Sequence, residues 1–408
     1  MWLVDCNVVT TYLDHAATTP VRPVAAAAFA EALEQVGNPS SLHAAGRTAR
    51  RLVEEARESI AADLGAHPTE VIVTAGGTEA DNLAIQGIWR ARAGGGRRGL
   101  VISAVEHPAV LEPAQWLAAH EGADLIEVGV DSAGRLDLDD LERSVTARTA
   151  VVSVMWANNE VGTIQPIERV VEAAVRAGAP VHSDAVQAVG QVPVDFAASG
   201  LDALTASGHK LGAPIGIGVL LVRRELGVTP VLHGGGQERA VRSGTVPVPG
   251  IRAFAAALHE AVAAGEAEAV RLRHLQEQVI DGVLGQIPDV HLRGTPAGPG
   301  RLPGNAHFSV PGADADALLF ALDAAGVCAS SGSACQAGVQ QPSHVLAAMG
   351  DDDGAARSGL RLTLGWTSSE EDVQTVLAAL PAAVQQARAA FRPRKARRQP
   401  QEDVKVGS

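Results

Sequence analysis

Short β-branched runs alternate with alanine-rich stretches of helical period through the first half of this chain. Val71–Thr74 (VIVT), Gly99–Ser103 (GLVIS), Ala150–Met155 (AVVSVM), Pro180–Ser183 (PVHS), Leu201–Ala206 (LDALTA) and Gly218–Val222 (GVLLV) read as strands. Glu79–Ala91 and Ile167–Ala177, lying between them, read as helices. That alternation restricts the chain to an α/β fold with a largely parallel sheet, since parallel strands need long, usually helical crossovers. A long helical pattern follows from about Ile251 to Ile287, then a Gly/Pro-rich passage (Arg293–Asn305), a strand (NAHFSV) and a helix (Asp314–Ala325). The last helix is expected to start at Ser368, where Ser368 and Glu371 spell a capping box, and to run to about Phe391. With 408 residues, two domains are expected, the second a smaller α+β unit from about residue 262.

The formal net charge of −13 argues against a broad nucleic-acid face, which needs a basic surface. The basic run FRPRKARRQP (Phe391–Pro400) reads as a solvated tail. Three cysteines, Cys6, Cys328 and Cys335, make no disulfide framework and suit a reducing, cytoplasmic setting. No apolar run reaches the ~18 residues of a membrane span, and the first residues do not read as a signal peptide. Gly94–Gly99 (GGGRRG) matches a dinucleotide-binding fingerprint in form, but it precedes a strand instead of following one, so it reads as a surface loop.

Ligands of open α/β sheets bind beyond the carboxyl ends of the strands, so the residues there carry the functional reading. After VIVT, Gly76, Gly77 and Thr78 either offer donors to a phosphate at a helix N-terminus or form a plain turn and N-cap. After LVIS stands His107, which alone reads as structural or functional. After AVVSVM stand Asn158, Asn159 and Glu160, which make ordered polar contacts or shape a turn. After PVHS come Asp184 and Gln187; a carboxylate placed there needs a cationic partner. After LDALTA come Ser207, His209 and Lys210, and a lysine next to a buried strand fits a Schiff-base lysine. Together the strand ends ask for a phosphate, a cationic ring and an aldehyde carbon, which pyridoxal phosphate combines.

YLDHAATTP (Tyr12–Pro20), GNPSSLHAAGR (Gly37–Arg47), GGTEADNLAI (Gly76–Ile85), EHPAV (Glu106–Val110), MWANNEVGTIQPI (Met155–Ile167), SDAVQAVG (Ser183–Gly190), SGHKLGAPIGIG (Ser207–Gly218), HGGGQERAVRSGT (His233–Thr245), SSGSACQAG (Ser330–Gly338) and LRLTLGWTSSEED (Leu360–Asp372) resemble the signatures of the NifS/IscS-type cysteine desulfurases, fold type I pyridoxal phosphate enzymes of the class-V aminotransferase kind. The resemblance implies a large domain over 16–261 with a mostly parallel seven-stranded sheet. It implies a smaller domain from 1–15 and 262–392 carrying the Cys335 loop, with a disordered basic tail over 393–408. Lys210 would hold the cofactor. Asp184 would pair with its ring nitrogen, Gln187 and Asn159 would lie near its phenolic oxygen, and His107 would stack on the ring and move protons. Gly77, Thr78, Ser207 and His209 would hold its phosphate, completed by Thr245 from a second subunit of a homodimer. Asn38, Asn159 and Arg361 would bind the substrate carboxylate. Cys335 would take sulfur from L-cysteine as a persulfide, leaving L-alanine. It would pass that sulfur to an iron–sulfur scaffold or a tRNA-thiolating enzyme, and in some relatives this cysteine transiently ligates the cluster. The neighbouring reading is a selenocysteine lyase or another small-amino-acid lyase or aminotransferase. The small residues around Cys335 suit a thiol on a mobile tether. Cys328 reads as structural, and Cys6 has no counterpart in the resemblance.

Overall fold

A computed structural model describes residues 10–332, 335–336, 339–340 and 342–390. Cys6 and the basic tail therefore lie outside the described residues. A two-residue strand, β1 (Thr11–Tyr12), comes first. The next seven form one sheet: β2 (Val71–Thr74), β3 (Gly99–Ser103), β4 (Asp124–Val128), β5 (Thr149–Ser153), β6 (Val181–Asp184), β7 (Ala203–Ser207) and β8 (Gly218–Val222). Their order is β2-β8-β7-β6-β5-β3-β4. The ladders from β7 through β4 are parallel, and β8 runs antiparallel to both its neighbours.

Six of these strands are buried along their whole length, as the unbroken apolar runs require of a sheet covered on both faces. The seventh, β4, was not among the expected strands. Its sequence, DLIEV, is mostly exposed at the sheet edge, so no continuous apolar run marks it. The sheet separates two hydrophobic clusters. One contains Val73, Val152, Leu204 and Phe254, the other Ile72, Ile102, Ile85 and Leu117. Helices α1 (Pro23–Leu33) and α2 (Ala44–Asp63) belong to the first side, α3 (Gly77–Ala93) and α4 (Pro108–His120) to the second.

The helix Val248–Gln286 bends at Gly265, whose φ of 37° and ψ of −119° lie outside helical space. Before the bend, Ile251 and Leu258 join the first cluster; after it, Leu272, Leu275 and Val279 join a third. That third cluster takes in Leu13 from the start of the described chain. It also takes in one face of a small antiparallel sheet made of β9 (His291–Arg293), β10 (Asn305–Ser309) and, later in the chain, β14 (Gly359–Thr363). Between these come β11 (Val327–Cys328), paired with β1, and β12 (Cys335–Gln336), paired with β13 (Val339–Gln340). The last helix is Glu370–Ala390, one register later than expected. Ser369 caps it with Asp372: the Ser369 N–H donates to the carboxylate at 2.9 Å, and the Asp372 N–H to the hydroxyl at 3.4 Å. Ser368 is occupied elsewhere, its hydroxyl accepting from Gly365 N–H at 3.0 Å and meeting His15 at 3.3 Å. Among the described residues, no helix is long and apolar enough to cross a membrane.

Candidate active site

The carboxyl ends of β3, β5, β6 and β7 open into a cavity of about 660 Å³, roofed by β14 and by both ends of the Cys335 segment. Ser330 and Gly332 line it before Cys335; Pro342, Ser343 and His344 line it after. Of the expected residues, Gly77, Thr78, His107, Asn159, Asp184, Gln187, Ser207, His209, Lys210 and Arg361 all line this one cavity. Asn38 and Thr245 do not: both are exposed on this chain, and the Asn38 side chain accepts from Ser40 N–H at 2.9 Å.

Backbone constraints place the wall of the cavity. Gly76 turns the chain at φ 153° and ψ −178°, a conformation open to glycine alone at little cost. Gly77 then opens α3 against β7; a Cβ there would stand 3.1 Å from Val186 and 3.4 Å from Ser207. Gly208 follows β7 so closely packed that a Cβ would meet Ile217 at 2.8 Å, and the tight turn it allows presents Lys210. The Lys210 ammonium donates to the carbonyls of Ala16 at 2.5 Å and Ala17 at 2.6 Å. Burial, then the charge of Arg361, pushes its pKa down to about 8. These two carbonyls are site atoms that side-chain chemistry cannot reveal.

Asp184, the last residue of β6, is buried and accepts Val186 N–H at 2.9 Å. Burial raises its pKa, opposed first by the field of His107, then by that hydrogen bond and by Lys210. His107 caps α4: its Nδ1 accepts Ala109 N–H at 3.1 Å, which leaves Nε2 for the cavity. Burial lowers its pKa, as it does that of His209, pushed down to about 4. Gln187 is tied through its amide to the Ala16 carbonyl at 3.0 Å. Of the adjacent asparagines, Asn158 shapes the turn, its side chain accepting from Glu160 and Val161 N–H at 2.9 Å each. Asn159 faces the cavity, and its carbonyl accepts from Arg361 at 2.9 Å.

The mouth has a different chemistry. Arg361 of β14 is buried, pairs with Asp14 at 2.9 Å and leaves its Nε without a partner. Glu160 accepts the Ser343 hydroxyl at 2.6 Å, and burial raises its pKa against that hydrogen bond. Gly332, at φ 87°, fits against Glu160 and His307 so closely that a Cβ would lie 3.4 Å and 3.3 Å from them. The His344 ring meets the Glu106 carbonyl at 2.9 Å. Asp81, Glu106, Ser343 and His344 were not singled out in the sequence. Asp81 lies inside GGTEADNLAI and Glu106 opens EHPAV, but their burial appears only once α3 and α4 pack on the sheet.

Residues 11–376 match the class-V aminotransferase family, which sets the broad class. The chain is 53% identical over 383 residues to an IscS-like cysteine desulfurase of Mycobacterium tuberculosis, covering 93% of this chain and 97% of that one. It superposes on the solved structure of a NifS-like protein with a TM-score of 0.86 at 32% identity, covering 92% of this chain and 99% of the other. On SspA in complex with cysteine the TM-score is 0.75 at 31% identity, with coverage of 86% and 98%. The chain belongs to the class-V aminotransferase family, in its branch of IscS/NifS-like cysteine desulfurases.

Proposed function

We propose that this chain uses pyridoxal phosphate, held by Lys210, to move the sulfur of L-cysteine onto Cys335 and release L-alanine. The observation that carries the reading is Asp184. It is a buried carboxylate aimed at the cavity, and no lysine or arginine among the described residues forms an ion pair with it. A buried carboxylate of this kind is stable when a cation is delivered to it, and a protonated ring nitrogen is one. The bare Gly77, Ser207 beside it and the N-terminus of α3 form a cradle that a Cβ would fill and a phosphate fits. When bound, the cofactor supplies an electron sink for the pair left when the substrate Cα–H bond breaks.

The chain's own residues divide the remaining work. Lys210, with its pKa near 8, is poised to release its proton and then to take one from the substrate Cα. His107, its pKa lowered by burial and its Nε2 left for the cavity, would cover the ring face and pass a proton. Asn159 and Gln187 would fix the ring's oxygen edge, and Thr78 and His209 would join the phosphate site. Arg361, with one nitrogen unpartnered, would grip the substrate carboxylate at the mouth, aided by Asn159. The Cys335 thiolate attacks the substrate Sγ, the Cβ–S bond breaks, and the net change is L-cysteine plus Cys335–SH to L-alanine plus Cys335–S–SH. Cys335 belongs to β12, and both flanks of its segment rim the cavity.

Thr245 and Asn38 are exposed and do not line the cavity of their own chain, which supports a homodimer in which they serve the partner's site. The change of hydrophobic cluster across Gly265, with Leu13 on the far side, supports a smaller domain drawn from the start and end of the chain. Delivery to an iron–sulfur scaffold or a tRNA-thiolating enzyme is the acceptor class the branch suggests. The likeness to SspA, whose structure holds cysteine, favours cysteine over selenocysteine as substrate.

The test is the visible spectrum and product yield of three proteins given L-cysteine and a reductant. Wild type is expected to be yellow and to make alanine and sulfide. Lys210→Ala is expected to lose the bound-cofactor absorbance and all turnover, and Cys335→Ala to stay yellow and lose desulfuration. A Cys335→Ala protein that still turned over L-cysteine normally would refute the persulfide role.

A further inference from the structure

Asp81 plays no part in the sulfur transfer proposed for this site, yet it sits at the centre of the wall. It lies in the first turns of α3, is 1% exposed and lines the cavity. Its Oδ1 has no hydrogen-bond partner and faces His182 Nε2 at 3.6 Å. His182, on β6, is wholly buried; its Nδ1 meets the Ser153 hydroxyl of β5 at 2.9 Å and its Nε2 the Thr205 hydroxyl of β7 at 3.0 Å. The Thr205 hydroxyl also bears on the Asp81 carboxyl. A continuous polar chain therefore crosses the sheet beneath the site and ends on Asp81.

Asp184 is the acid that Asp81 feels most strongly. The titratable groups facing the pair are His182 on β6, Glu106 beyond β3, His107 at the start of α4 and Lys210 beyond β7. Both acids are buried and line the same cavity, and ionising both is disfavoured there, because each loses hydration and repels the other. Asp184 has His107, Lys210 and the Val186 N–H to favour its charge. Asp81 has only the Thr205 hydroxyl, and burial followed by the Asp184 charge pushes its pKa well above the usual carboxylate range.

We propose that Asp81 is a positioning residue: the buried Asp81–Asp184 pair holds one negative charge, with the proton on Asp81, so that Asp184 alone meets the cavity as an anion. A neutral carboxyl also lowers the cost of the orphaned Oδ1, because an uncharged oxygen loses far less hydration on burial than an ionised one. The bearing on a ring nitrogen rests on the proposed cofactor chemistry; the shared proton does not.

The test is difference infrared spectroscopy of the purified holoprotein at neutral pH, wild type minus Asp81→Asn. Other buried acids such as Glu106 cancel in the difference. Loss of one protonated-acid carbonyl band is expected; loss of an ionised carboxylate band would overturn the proposal. A second readout is the 15N resonance of cofactor labelled at the ring nitrogen. It is expected to stay at the protonated position in Asp81→Asn and to move towards the neutral one in Asp184→Asn, and the reverse pattern would overturn the assignment. If Asp81→Asn fails to fold, wild type minus Thr205→Val is read instead. A shifted acid band supports the proton on Asp81, and a shifted carboxylate band refutes it. A colourless protein that keeps the acid band would sink the cofactor reading and leave the shared proton standing.

Discussion

The wall and the mouth of the cavity are built from different materials, and each keeps a polar atom without a partner, Asp81 Oδ1 in the wall and Arg361 Nε at the mouth. The wall comes from strand ends and helix starts of the large sheet. It gathers Asp184 and Asp81, with Glu106 buried behind them, acids with no lysine or arginine ion pair among the described residues. The mouth comes from the small sheet and the flanks of the Cys335 segment. It gathers Arg361, paired with Asp14, and a clamp in which Glu160 accepts the Ser343 hydroxyl beside His307. One region waits for a cation and the other for an anion. An amino acid joined to a cationic ring presents both, in that order from floor to rim.

The largest expected effect breaks the wall. Asp184→Ala should lower kcat roughly 100-fold or more, because a preorganised charge is lost where water cannot replace it. The check is steady-state kinetics with saturating added cofactor. An effect confined to cofactor affinity would show that the wall binds without activating. A smaller effect is expected at the mouth. Arg361→Lys should raise KM for L-cysteine about 10-fold with a lesser change in kcat, since lysine cannot reproduce the fork that grips a carboxylate. A fall in kcat alone would place Arg361 outside substrate binding.

The smallest effect treats both regions alike. His182 in the wall and His307 at the mouth are each held neutral by burial, pushed down to about 3. Their folded pKa lies below the unfolded value near 6.5, so between those limits the unfolded chain binds more protons. Stability is then full above about pH 6.5 and falls as pH drops, by ~1.4 kcal/mol per pH unit for each histidine. Urea unfolding at pH 7 and pH 5 measures the slope. His307→Asn should lower it by one histidine's share, ~1.4 kcal/mol per pH unit, and an unchanged slope would show that His307 is not held neutral.

Much of the wall is legible in the sequence because the residues that follow parallel strands all emerge at one edge of the sheet. Once VIVT, LVIS and PVHS were read as strands, Gly77, His107 and Asp184 had to share one edge of the sheet. The mouth was less legible. Arg361 and the Cys335 segment reach it through long-range pairings, Ser330 with Arg361 and Asp14 with Thr363, that no local pattern announces. The family motifs mark them instead. The carbonyls of Ala16 and Ala17 carry no side-chain signal at all, and Asp81 reads as an ordinary polar position near a helix start until its surroundings close over it.

The central claim is that the sulfur leaves the substrate by way of Cys335. The most direct measurement is a single turnover of the yellow protein with L-cysteine and no reductant, followed by mass analysis of the peptide containing Cys335 and quantitation of alanine. One added sulfur on that peptide for each alanine released is the expected result. Alanine released with free sulfide and an unmodified Cys335 would contradict it.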